Sequence, residues 1–436
     1  GIRSFSDDPE LTGALGDAFI RGLHESGTLT AVKHYPGHGD TLTDSHTNLP
    51  VMNSTLDELR QLALVPFATC VDDEGEQTDF VMAAHICFPQ IESGTYQSKL
   101  DGQEITLPAT FSRILITDIL RDELGFDGVV ITDSMQMKAI ADHFTPLDAA
   151  RLALNAGVDM LLMPVNIRST ADIGEMETYI RQVAELVRKG EIPQERIEEA
   201  VLRVLMMKDR YGLLDIRTQE ENEPLEERIR QAQEIVGSEA HHAAEWELAL
   251  QAVTLVKDTE GLLPLSPKSR VILACPDSAR FLSLKYALYR LQEDQILPED
   301  ADVAVACYEG MSEADATNMA WQSDVVVVVS SVTGWKELGK EDVPSAFIDK
   351  LIQAAHGLDR QVIVISSGLP YDVNRFPDAD AVLACYSPEG MKELPPETEY
   401  GANLPAAIYS LFSGQELSGR LPVEIPALSE YSNLTE

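Results

Sequence analysis

Apolar runs of strand length alternate with amphipathic runs of helix length along the whole chain. Asp7 and Asp8 before Pro9 supply a cap and a first-turn proline for a helix to about Leu23, stopped at Gly27. A strand is predicted from Ala31 to His34. Ser54 or Thr55, with Asp57 and Glu58 behind it, starts another helix, and Phe80 to His85 reads as a buried strand. Helical periodicity from Phe111 to Leu124 stops at Gly125. The strand Gly128 to Asp133, a helix near Asp148 to Ala156 and the run Val158 to Pro164 follow, making four β-α units in all.

Three of these strands finish in polar residues, Lys33 with His34, His85, and Asp133, which meet at one edge if the strands are parallel. The pattern predicts an α/β fold: the C-terminal half of a (β/α)8 TIM-type barrel with its working face at the strand ends. Four strands cannot close such a barrel, so its edges call for upstream sequence, another chain or a rearrangement. The chain opens at Gly1, Ile2, Arg3 without an initiator Met, and further residues upstream are expected.

Two amphipathic helices from Ile173 to Leu213, parted by Gly190 and Pro193, lead into an acidic stretch around Glu220 to Glu227. We place the partial barrel in 1–213, a linker and helix in 214–250, and a second domain in 251–436. The helix is predicted from Arg228 to about Val253. Strands recur at Val271 to Cys275, Val303 to Cys307, Val325 to Val329, Val362 to Ile365 and Ala381 to Cys385, with helix-like segments between them. The second domain therefore reads as a doubly wound α/β sandwich.

Composition narrows the partners. The 436 residues carry 33 basic and 72 acidic side chains, a formal charge of −39 that repels phosphodiester backbones and anionic lipid surfaces. Neither nucleic acid nor a membrane surface is expected to bind, and no apolar run approaches the ~20 residues of a membrane span. The five cysteines are widely separated, mostly inside apolar runs, and lack C-x-x-C spacing. They read as buried thiols and not as a disulfide framework or thiolate zinc site.

The chemistry gathers in Lys33 to His46, reading K-H-Y-P-G-H-G-D-T-L-T-D-S-H, where a strand runs into a loop. Lys33 and His34 present donors suited to the hydroxyls of a polyol. His38 sits between Gly37 and Gly39, which let the loop bend sharply. Asp44 lies two residues from His46, close enough to orient the imidazole and stabilise its charged form. Asp133 ends a strand, where a carboxylate projects from a rigid support. His85 reads equally well as a hydrogen-bonded residue of the core edge.

Two other chemistries fit the sequence less well. A divalent metal on His34, His38, His46, Asp40 and Asp44 is disfavoured by the neighbouring Lys33 and by spacing that follows no standard metal motif. Gly334 to Glu341 approximates a phosphate loop, but Glu341 stands where a Ser or Thr would hold magnesium.

The segment K-H-Y-P-G-H-G-D-T-x-x-D-S-H, together with G-V-V-I-T-D-S-M-Q-M at 128–137, resembles the signatures of family 3 glycoside hydrolases, specifically the β-N-acetylglucosaminidases. The likeness extends through Arg3, Ser4 and Phe5, through Met82 to His85, and into Leu262 to Leu265 and Ser418 to Pro422. It implies that Asp133 is a nucleophile, that Asp44 and His46 form a general acid/base dyad, and that Arg3, Lys33, His34 and His38 contact the sugar. It implies a retaining hydrolase of terminal β-linked N-acetylglucosamine on muropeptides or chito-oligosaccharides, without a cofactor, acting extracellularly or at the cell wall, with the cytoplasm as the alternative; no signal segment is present in this chain. Because a histidine acid is neutral after donating its proton, phosphorolysis of the same glycosides is the alternative second step. Members carry about four more barrel strands before the arginine segment, which leaves a sugar-binding protein with little activity as a further alternative.

Overall fold

The computed structural model describes residues 4–39, 49–72, 77–215, 224–259, 261–334, 337, 343–387, 390 and 401–426. The chain divides into two compact units, Ser4–Pro224 and the chain from Leu225 onward.

In the first unit the helix Pro9–Glu25 starts on Asp8, whose carboxylate accepts from the backbone N–H groups of Glu10 and Leu11. The strands are β1 (Ala31–Tyr35), β2 (Phe80–Ala83), β3 (Thr95–Gln97), β4 (Glu104–Thr106) and β5 (Val129–Thr132). β1, β2 and β5 lie side by side, all parallel, while β3 and β4 form a separate antiparallel pair. Val81, Ala83 and Val130 are buried and pack with Leu115, Ile116, Ile119 and Leu120 of the helix Ile114–Glu123. That helix corrects the expectation in detail: it is π-helical, and a wider last turn brings the Leu124 N–H to the Ile119 carbonyl at 2.8 Å.

The expected fourth strand is reduced to a single parallel bridge between Ile131 and Met160. The Leu162 N–H turns to the Thr132 side chain, Oγ1 at 2.9 Å, and not to a strand carbonyl, so the ladder stops there. The start of this segment is nevertheless fixed. Asp159, its side chain wholly buried, pairs with Arg121, Arg196 and Arg203 and accepts from the Val130 N–H at 2.9 Å. One carboxylate thus ties the Val158–Pro164 run to β5 and to the helix Gln194–Arg210.

The second unit opens with two helices where one was expected, Leu225–Ile235 and Glu239–Ala252. The break falls at Gly237, with φ of +70°, and Ser238 caps the second helix by accepting from the His241 N–H. Six strands follow: β6 (Thr254–Asp258), β7 (Val271–Cys275), β8 (Val303–Cys307), β9 (Val325–Ser330), β10 (Gln361–Ser366) and β11 (Ala381–Ala384), in the order β6-β11-β10-β9-β7-β8. All pairings are parallel except that of β6 with β11. β6 was not foreseen; it is the edge strand that follows directly on the helix ending at Ala252.

Both faces of this sheet are covered. Leu273, Val327 and Ile365 pack with Leu284 and Leu411 on one side, while Ala274, Val328 and Val364 pack with Ala320 and Leu351 on the other. Burial on both faces explains why these strands read as unbroken apolar runs.

Candidate active site

Parallel pairing brings the polar strand ends of the first unit to one edge. The ladder between β1 and β2 steps from Lys33–Met82 to Tyr35–Ala83, so His34 is the extra residue of a bulge. Bulges re-aim side chains next to working sites. Here the His34 imidazole is directed across the end of β2 to Asp133, with Nε2 3.6 Å from Oδ2. Both side chains keep a water-accessible margin, 15% and 20% of their surface.

Two anchors hold the loop after β1. Tyr35 is buried, donates its hydroxyl to the Leu115 carbonyl at 2.8 Å and meets Phe67 edge to face. Gly37 closes a tight turn, its N–H reaching the His34 carbonyl at 2.8 Å. It has φ of +139°, and a Cβ there would lie 2.7 Å from that of Ala63, so this position requires glycine. The turn sets His38 edge-on to His34, with ring centroids 5.7 Å apart. Lys33 is exposed on β1, one residue before this pair.

Asp133 follows β5 directly. Its N–H extends the ladder to the Ala83 carbonyl at 3.1 Å, and its Oδ1 accepts from the Ser134 N–H at 2.7 Å. Those bonds fix the backbone and one carboxylate oxygen, leaving Oδ2 as the oxygen that faces His34. Such a carboxylate can serve as a nucleophile or as an electrostatic partner for a developing cation.

His85, which follows β2, is more central than the sequence suggests. It is buried, with Nδ1 2.8 Å from Thr110 Oγ1 and Nε2 3.1 Å from the Ser134 carbonyl. Burial pushes its pKa down to about 4, against the pull of the Asp133 carboxylate. In the neutral ring Nε2–H donates to the Ser134 carbonyl, while the one Thr110 hydroxyl proton is shared between Nδ1 and the Ala84 carbonyl, 2.7 Å from Oγ1. It thereby holds the carbonyl of the residue next to Asp133. The available signal was its place at the end of a buried strand, like Lys33–His34 and Asp133.

Of the other expected site residues, Arg3, Asp44 and His46 lie outside the described residues, as does Asp40. Most of the 334–341 segment lies outside them too; Glu337 accepts from the Thr333 N–H and hydroxyl within that loop. Among the described residues no group of three or more His, Cys, Asp or Glu side chains is placed to hold a metal ion.

Comparison with known proteins points to the same family. Residues 1–207 match the model of the glycosyl hydrolase family 3 N-terminal domain. That match spans just under half of the chain, which is similar there to the family's N-terminal domain. Beta-hexosaminidase A of Pseudoalteromonas piscicida is 32% identical over 401 residues, covering 88% of this chain and 64% of that protein. Beta-hexosaminidase of Chromobacterium violaceum is 39% identical over 163 residues, covering 37% of this chain and 41% of its own length. The chain thus spans less than two thirds of these curated relatives. A family 3 β-N-acetylglucosaminidase from Paenibacillus sp. superposes with a TM-score of 0.70 at 27% identity, over 98% of this chain and 73% of that one. The mixed α/β fold is therefore that of family 3 structures.

Proposed function

We propose that this chain works as a retaining β-N-acetylhexosaminidase, releasing terminal β-linked N-acetylglucosamine from muropeptides or chito-oligosaccharides. Asp133 attacks the anomeric carbon to form a glycosyl-aspartate, and His46, oriented by Asp44, protonates the departing oxygen. In the second step the same imidazole takes a proton from the incoming water. Arg3, Lys33, His34 and His38 contact the sugar, and His85 acts as a positioning residue for the Asp133–Ser134 peptide. No cofactor enters this chemistry. We read the first unit as the C-terminal half of a (β/α)8 barrel and the second as a doubly wound sandwich, and we place the action outside the cytoplasm.

The observation that carries this reading is the approach of His34 Nε2 to Asp133 Oδ2, 3.6 Å, at the edge where three parallel strands end. The names of the curated relatives point the same way. The roles of Asp44 and His46 rest on the loop motif alone. Turnover of a nitrophenyl β-N-acetylglucosaminide by the wild-type chain tests the activity, and Asp133→Ala is expected to lower kcat by about a thousandfold or more. Equal turnover by wild type and variant rules out Asp133 as the nucleophile.

A further inference from the structure

We propose that Cys275 and Cys307, 32 positions apart in sequence, form a dithiol site that a low-molecular-weight disulfide converts to an intramolecular disulfide. The two are register partners at the C-terminal ends of β7 and β8, which pair in parallel. Their side chains share one face of the sheet: Cys275 belongs to the core that includes Leu273 and Leu284, and Val303 and Val305 of β8 pack against that same core. Each sulfur has a carbonyl contact on the other strand's side, and Cys275 Sγ also lies 3.4 Å from the Asp277 carbonyl. Cys275 Sγ lies 3.5 Å from the Ala306 carbonyl, and Cys307 Sγ lies 3.4 Å from the Pro276 carbonyl. Neighbouring strands run about 4.8 Å apart, inside the Cα separation of roughly 4.4–6.8 Å that a disulfide spans.

Exposure divides the labour between the two thiols. Cys275 is fully buried, whereas Cys307 is only partly so and lies on β8, the outermost strand of the sheet. Burial, and then the nearby Cys307 thiol and Asp277 carboxylate, push the Cys275 thiol up to about 12. Cys307 therefore reacts first. Its thiolate attacks one sulfur of the reagent, forming a mixed disulfide and expelling one thiolate, which takes a proton from water. Cys275 then loses its proton to solvent and attacks Cys307 Sγ, closing the Cys275–Cys307 bond and expelling the second thiolate. Two electrons pass from the protein to the reagent, which leaves as two thiols. The other three cysteines, Cys70, Cys87 and Cys385, are all buried, and no disulfide joins any of them.

The test is peptide mass mapping of the native chain after incubation with oxidised glutathione at mildly alkaline pH, with iodoacetamide blocking on unfolding. The expected products are a transient glutathione adduct on Cys307 and then a cross-linked peptide pair containing Cys275 and Cys307, lighter by two hydrogens. Cys70, Cys87 and Cys385 are expected to carry only the alkyl label. Cys275→Ser is expected to stop at the Cys307 adduct, and Cys307→Ser to give neither species. A wild-type chain that ends as the Cys307 adduct without cross-link, that cross-links other cysteines, or that does not react overturns the proposal. The wild-type result stands without either variant, so a folding defect in Cys275→Ser leaves the test intact.

Discussion

At the scale of single residues, the site depends on which way three side chains point. His34 occupies the bulged position of β1, so its ring meets Asp133 instead of following the strand's alternation. At 3.6 Å the pair is longer than a hydrogen bond, so a charged His34 acts on the Asp133 carboxylate through space, by about 1–4 kcal/mol. His34→Ala is therefore expected to lower kcat/KM on a nitrophenyl β-N-acetylglucosaminide by about 10- to 100-fold. Steady-state kinetics check this, and an unchanged kcat/KM removes His34 from the site. Asp133 and His34 were legible in the sequence because a charged or titratable residue closing an apolar strand stands out. The role of His85 was not, since its partners Thr110 and Ser134 lie 25 and 49 positions away and only the fold brings them together.

At the scale of elements, the strands were legible wherever local pattern and burial agree. Val325–Ser330 and Gln361–Ser366 are apolar runs because both sheet faces are covered. Three features escaped the pattern. The Val158–Pro164 run keeps one bridge because the Thr132 hydroxyl captures the next N–H. Gly237 splits a helix whose periodicity reads as continuous. β6 pairs antiparallel with β11, a strand more than a hundred residues away, and nothing local announces it. The junction of β2 with the Asp133 loop also carries a pH signature. His85 is neutral in the fold down to about 4, below its ordinary value of 6.5, so the unfolded chain binds its proton first as the pH falls. The stability contributed by the neutral ring is complete above about 6.5 and declines between there and about 4, by up to about 3 kcal/mol. Urea denaturation across that range is expected to show a shallower acid decline for His85→Gln than for wild type; parallel curves contradict the assignment.

At the scale of the whole molecule, three cores, one in the first unit and one on each face of the second unit's sheet, account for the alternation of apolar and amphipathic runs. Among the described residues no helix is long and apolar enough to cross a membrane. The charge of −39 belongs to this scale, because repulsion among exposed carboxylates acts over the whole surface. Raising ionic strength shortens the screening length from about 30 Å at 0.01 M to about 8 Å at 0.15 M. The melting temperature is expected to climb by several degrees over that interval, and calorimetry that finds it constant or falling contradicts this account of the charge. The proposed reaction passes through a covalent sugar ester on Asp133. Peptide mass mapping after reaction with a fluorinated N-acetylglucosaminyl fluoride, which forms the glycosyl-enzyme faster than water releases it, tests it most directly. The account predicts one sugar per chain on the peptide that contains Asp133, and none in Asp133→Ala; a label on another carboxylate, or turnover with no trapped ester, contradicts it.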